Sequence, residues 1–88
     1  MKIQLISSFD SNESELETRS STLGDLLLEL SKKYPRERFY NKEREEVNFE
    51  FFVELNGQLH ETLANELDTK LKDGDKVEIY RGIEYEDD

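Results

Sequence analysis

Eighty-eight residues with 12 basic and 22 acidic side chains, a formal net charge of −10 and no cysteine make one domain with room for one sheet and one main helix. So acidic a surface repels phosphates, which excludes nucleic acid as an expected partner and suits either plain solubility or a basic protein partner. Without cysteine there is no disulfide framework, thiolate nucleophile or sulfur ligand for zinc, which fits a reducing, cytoplasmic compartment. The apolar stretch at Met1–Ser7 is too short for a secretory core, and no run approaches membrane-span length.

In chain order, Met1, Ile3, Leu5 and Phe9 share one parity, with Lys2, Gln4, Ile6 and Ser8 on the other, which predicts a first strand with one buried face. Asp10-Ser11-Asn12 reads as a turn. Glu13–Arg19 reads as an edge strand guarded by its charges, with Leu16 as its inward anchor. Thr22 then precedes a helix whose Leu23, Leu26, Leu27, Leu30 and Tyr34 fall at steps of three and four. Asp25 in the first turn and Lys32 and Lys33 in the last match the helix dipole, and Pro35 stops the helix.

The charged stretch Arg36–Glu46 reads as a loop with Phe39 and Tyr40 as its apolar side chains. From Val47 the period becomes two, so Val47, Phe49, Phe51, Val53 and Leu55 are predicted to face the core. Asn56-Gly57 is a strong hairpin signal, with Gln58-Leu59-His60 as a short return. Glu61–Thr69 crosses over with Leu63 and Leu67 available for the core. Asp73-Gly74 then leads into a last strand in which Val77 and Ile79 point inward. The expected core is Ile3, Leu5, Leu16, Leu23, Leu26, Leu27, Leu30, Phe49, Phe51, Val53, Leu55, Leu67, Leu71, Val77 and Ile79. An order of strand, strand, helix, strand, short strand, strand is that of an α+β ubiquitin-like β-grasp, a mixed four- to five-stranded sheet with one helix on one face.

Thr22-Leu23-Gly24-Asp25-Leu26-Leu27, Tyr34-Pro35, Val53-Glu54-Leu55-Asn56-Gly57 and Leu71-Lys72-Asp73-Gly74-Asp75-Lys76-Val77 lie in that order over most of the chain. With these segments the sequence resembles the small sulfur-carrier proteins of the MoaD and ThiS type, the ubiquitin-fold subunits of molybdopterin synthase and of thiazole synthesis. The resemblance implies a flexible carboxyl-terminal Gly-Gly, adenylated by an activating enzyme and converted to a thiocarboxylate that donates sulfur. Glycine serves there because a tail without side chains can thread a narrow channel. This sequence departs from that pattern: its tail reads Arg81-Gly82-Ile83-Glu84-Tyr85-Glu86-Asp87-Asp88, with no two consecutive glycines. The expected organisation is a β-grasp domain over residues 1–83 and an acidic, disordered tail over 84–88.

In a β-grasp the outward parity of the long strands brings Ile6, Phe52 and Tyr80 to the face opposite the helix. Aromatic anchors inside a rim of Lys2, Gln4, Glu50, Glu54 and Glu78 would suit protein binding, against the plainer reading of three singly exposed hydrophobes. His60, the one histidine, reads as a surface hairpin residue with no companion ligands for a metal. The carboxylate pairs have no pocket to shift their proton affinity, so no catalytic residue, metal or cofactor is expected. Arg36, Arg38, Lys42 and Arg44 read as a loop neutralised by Glu37, Glu43, Glu45 and Glu46.

Three functions follow. The first is a non-catalytic protein-binding module or subunit in sulfur transfer or molybdopterin- or thiamine-type cofactor biosynthesis. Its partner would be a protein such as an activating enzyme or a cofactor-synthase large subunit, and its surface the Ile6–Phe52–Tyr80 patch with the tail segment Arg81-Gly82-Ile83. The second is a sulfur carrier or protein modifier acting through an altered terminus, and the third a solubility-optimised domain without a dedicated partner. Neither nucleic acid nor membrane is an expected partner.

Overall fold

The leucine spacing produces the one long helix where it is expected. In the computed structural model, which describes residues 1–8 and 10–82, with 10–13 through their backbone alone, α1 covers Leu23–Lys33. Thr22 caps it, its hydroxyl accepting from the Asp25 N–H at 3.1 Å. Leu23, Leu26, Leu27 and Leu30 are fully buried, and Tyr34, the C-cap, packs half-buried at the end of the same stripe.

The strands β1 (Lys2–Ser7), β2 (Asp10–Glu17), β5 (Phe51–Leu55), β6 (Gln58–Leu59) and β7 (Lys76–Arg81) form one sheet in the order β2-β1-β7-β5-β6. The β1–β7 pair is parallel and the other pairs are antiparallel. Alternation buries Ile3 and Leu5, Phe51, Val53 and Leu55, and Val77 and Ile79 beneath the helix. This is the β-grasp arrangement, with five strands and one main helix on one face.

Both edges carry short or charged strands, as unpaired backbone there requires. Strand β2 takes one edge, with Leu16 packed half-buried on the core. It begins earlier than its sequence suggests: Asp10, Ser11 and Asn12 belong to the strand and not to a turn, because Ser7 already pairs with Asp10. The inward place expected for Phe9 lies outside the described residues, as does the tail from Ile83 onward.

Residues 36–50 depart most from expectation. Instead of a loop followed by one long strand, the chain forms a two-stranded ribbon of β3 (Tyr40–Asn41) and β4 (Glu46–Val47). It then turns before β5. The Asn48 N–H donates to Phe39 O at 2.9 Å, the Phe51 N–H to Asn48 O at 2.9 Å, and the Asn48 side-chain amide to Arg38 O. That turn consumes Asn48–Glu50, so Phe49 points out of the fold, 95% exposed, and not into the core. Phe39 fills the core instead, 1% exposed, with its ring edge-on to Phe51 at 6.2 Å and 66°.

Beyond β5, Asn56 and Gly57 both take positive φ (53° and 86°), the backbone a two-residue hairpin needs to match strand twist. The Asn56 amide also reaches the entry to β7, donating to Asp75 Oδ1 at 3.0 Å while its Oδ1 accepts from Lys76 N–H at 2.9 Å. Between β6 and β7 the crossing consists of two 3-10 turns, His60–Thr62 and Glu66–Asp68, whose Leu63 and Leu67 pack half-buried on the core. Among the described residues, no helix is long and apolar enough to cross a membrane.

Candidate protein-docking face

The outer face of the sheet follows from register. Phe52 on β5 lies directly opposite Tyr80 on β7, and Ile6 on β1 lies opposite Glu78, one diagonal step from Tyr80. The three side chains therefore cross three adjacent strands on the side away from α1. The Phe52 and Tyr80 rings stack at 5.6 Å with a 32° tilt. Phe52 is 39% exposed, and Ile6 and Tyr80 are half-buried. Beside them the Tyr80 hydroxyl donates to Glu54 Oε2 at 2.5 Å, which holds the phenol edge in one place.

That bond raises the Tyr80 pKa above the ordinary value of 10.0, and burial and the charges of Glu54 and Glu78 add to the rise. The folded protein therefore holds the phenolic proton more tightly than the unfolded chain. The associated stability is present in full below pH 10 and is lost as the pH rises through the raised folded value. Tyr80→Phe is expected to remove part of the alkaline loss of stability in urea titrations, and to remove a late-titrating phenol from the ultraviolet absorbance. The Tyr40 hydroxyl, also pushed up by burial and by Glu45 and Asp25, remains.

Gly82 completes the face. It follows Tyr80 by two and so shares its side of the sheet, and its N–H donates to Glu50 O at 2.7 Å, extending the β5–β7 pairing by one residue. A Cβ at this position would overlap Cε2 of Phe52 and lie 2.9 Å from Cδ2. The glycine thus makes room for the aromatic ring. Gly82→Ala is expected to push the Phe52 ring off Tyr80 at a cost of about 1 kcal/mol, since an exposed ring can swing aside. Loss of nuclear Overhauser contacts between the two rings would report it.

Of the segment expected as tail, Arg81 belongs to β7. Its guanidinium sits 5.3 Å from the Phe51 ring centroid and its N–H donates to Ser8 Oγ at 3.1 Å, so it braces the end of the sheet instead of extending the aromatic pair. Ile83 lies outside the described residues.

Residues 4–80 match the ThiS family. The chain belongs to that family. Its MoaD- and ThiS-like members are β-grasp sulfur carriers, small proteins that are typically not themselves catalysts. The solution structure of small archaeal modifier protein 1 from Methanosarcina acetivorans is similar to this ThiS-family chain with a TM-score of 0.73 and 22% identity, over 97% of this chain and 96% of that one. The crystal structure of SAMP1 from Haloferax volcanii gives 0.71 and 17%, over 98% and 100%. A chain of the Amycolatopsis orientalis BexX/CysO complex gives 0.69 and 13%, over 96% and 99%. At such identities the likeness is one of fold. No curated protein sequence matches the chain.

One feature of this ThiS-family chain differs from the sequence reading. His60 is not a plain surface residue: it is half-buried, and its Nδ1 is buried without a hydrogen-bond partner. The four basic and four acidic side chains of residues 36–46 balance in number. Among the described residues the ion pair within that run is Arg44–Glu46 at 3.6 Å, while Arg38 and Lys42 join Lys32 around a hollow with Glu43 as its carboxylate.

Proposed function

We propose that this chain is a protein-binding module that docks through the outer sheet face and last strand onto a partner in sulfur transfer or in molybdopterin- or thiamine-type cofactor biosynthesis. The stacked Phe52–Tyr80 pair carries this reading. Two aromatic rings on neighbouring strands, fixed by Glu54 and given room by Gly82, are a preformed anchor that loses little side-chain freedom on binding. The test is calorimetric titration of the purified chain against the activating enzyme and the cofactor-synthase large subunit of the same genome. Binding by either that is lost in the Phe52→Ser, Tyr80→Ser double variant supports the reading; binding that survives it overturns the reading.

A second reading, a sulfur carrier or protein modifier, is supported by family membership and by the likeness to structures of small archaeal modifier protein 1. The sequence has four glycines, none adjacent. Incubation with an activating enzyme and ATP followed by intact-mass measurement separates the two. A terminal adenylate or a gain of one sulfur atom establishes carriage, and an unchanged mass leaves docking alone.

A further inference from the structure

Phe49 is a large apolar side chain that the fold holds almost wholly in water, and it stands at the mouth of a groove. The groove, about 460 Å³, lies between the β3–β4 ribbon and the two 3-10 turns, and Phe49, Phe52 and His60 line it. Glu45, Glu66 and Leu67 line both this groove and a neighbouring hollow of about 670 Å³ that reaches the start of α1, and the two together form a trough. Along this trough stand Asp25, Glu45, Glu46, Glu61, Glu66 and Asp68, against two cations, Lys42 and Arg44. Arg44 is engaged by Glu46.

We propose that this trough binds an extended basic segment of a partner protein, with an apolar side chain of that segment seated on Phe49 and its Lys or Arg side chains along the carboxylates. Six carboxylates against two cations set the sign of the occupant, and the net charge of −10 steers the same kind of ligand toward it. The exposed ring supplies the apolar contact that charge alone lacks. This surface does not depend on the sheet-face reading: Phe52 borders both, but Ile6 and Tyr80 lie outside the trough.

The probe is the synthetic peptide Gly-Lys-Arg-Leu-Lys-Gly, titrated into isotope-labelled protein and followed by amide chemical shifts, with Gly-Glu-Glu-Leu-Glu-Gly as control. Saturable shifts confined to residues 22–28, 40–52 and 60–68, for the basic peptide alone, are expected. Phe49→Ser, harmless to the fold at a residue this exposed, is expected to weaken binding about tenfold. Glu45→Gln with Glu66→Gln is expected to remove much of its salt dependence. Equal response to the acidic peptide, shifts spread over the β2 carboxylates, or unchanged affinity in Phe49→Ser overturns the proposal. If Ile6→Ser and Tyr80→Ser abolish peptide binding while Phe49→Ser does not, the peptide sits on the sheet face; the trough proposal then fails and the docking reading stands.

Discussion

Phe39→Ala is expected to lower folding stability by about 3–5 kcal/mol, the range for truncating a buried aromatic side chain. A domain of this size has about 5–15 kcal/mol to lose, so the variant would sit near the edge of folding. Phe39 is almost fully enclosed and meets Phe51 edge-on. Its backbone carbonyl also accepts from Asn48, so the ring anchors the ribbon as well as the core. Urea unfolding should show the midpoint falling sharply with little change in slope. The same experiment on Phe49→Ala should show almost no shift. A comparable loss at both positions would contradict the exchange of roles between these two phenylalanines.

Loss of partner binding by at least about a hundredfold is expected when Phe52 and Tyr80 are both changed to serine, because two clustered aromatic anchors at the centre of an interface carry roughly 2 kcal/mol or more each. Both rings are partly exposed and sit outside the core, so folding should change far less than binding does. Separating the two effects requires both measurements on one variant: titration with the partner and urea unfolding without it. If stability falls as far as affinity, the pair is a structural element of the sheet and the docking reading loses its support. Tyr80→Phe should fall between, since it keeps the ring and gives up the bond to Glu54.

The elements that sequence disclosed are those where one local rule and the global packing agree. Thr22 capping a leucine stripe, Asn56-Gly57 closing a hairpin, and Val77 and Ile79 alternating after Gly74 each satisfy backbone and core at once. Residues 39–50 escaped because their instructions conflict. The alternation Val47, Phe49, Phe51 continues a strand pattern straight through a turn that contains neither glycine nor proline and is held by hydrogen bonds of Asn48, Glu50 and Phe51. Phe39 has the opposite difficulty: one core anchor among charges shows no period at all. The outer face was readable from parity once the strand order was assumed. Its dependence on Gly82 was not, since the ring that occupies the space comes from a strand thirty residues earlier. The trough shows in no local pattern, because its walls come from two separate irregular segments.

The position of β7 bears on how the chain is made. It is the last of the described strands in sequence and the middle one in space, hydrogen-bonded to β1 on one side and β5 on the other. A ribosome delivers it after every other described element, so β1 and β5 wait through synthesis with facing edges open, and the core beneath them stays unsealed until Val77 and Ile79 arrive. A nascent or truncated chain ending before Lys76 would be three hairpins and an apolar-faced helix rather than a smaller domain, and a natural client for chaperones.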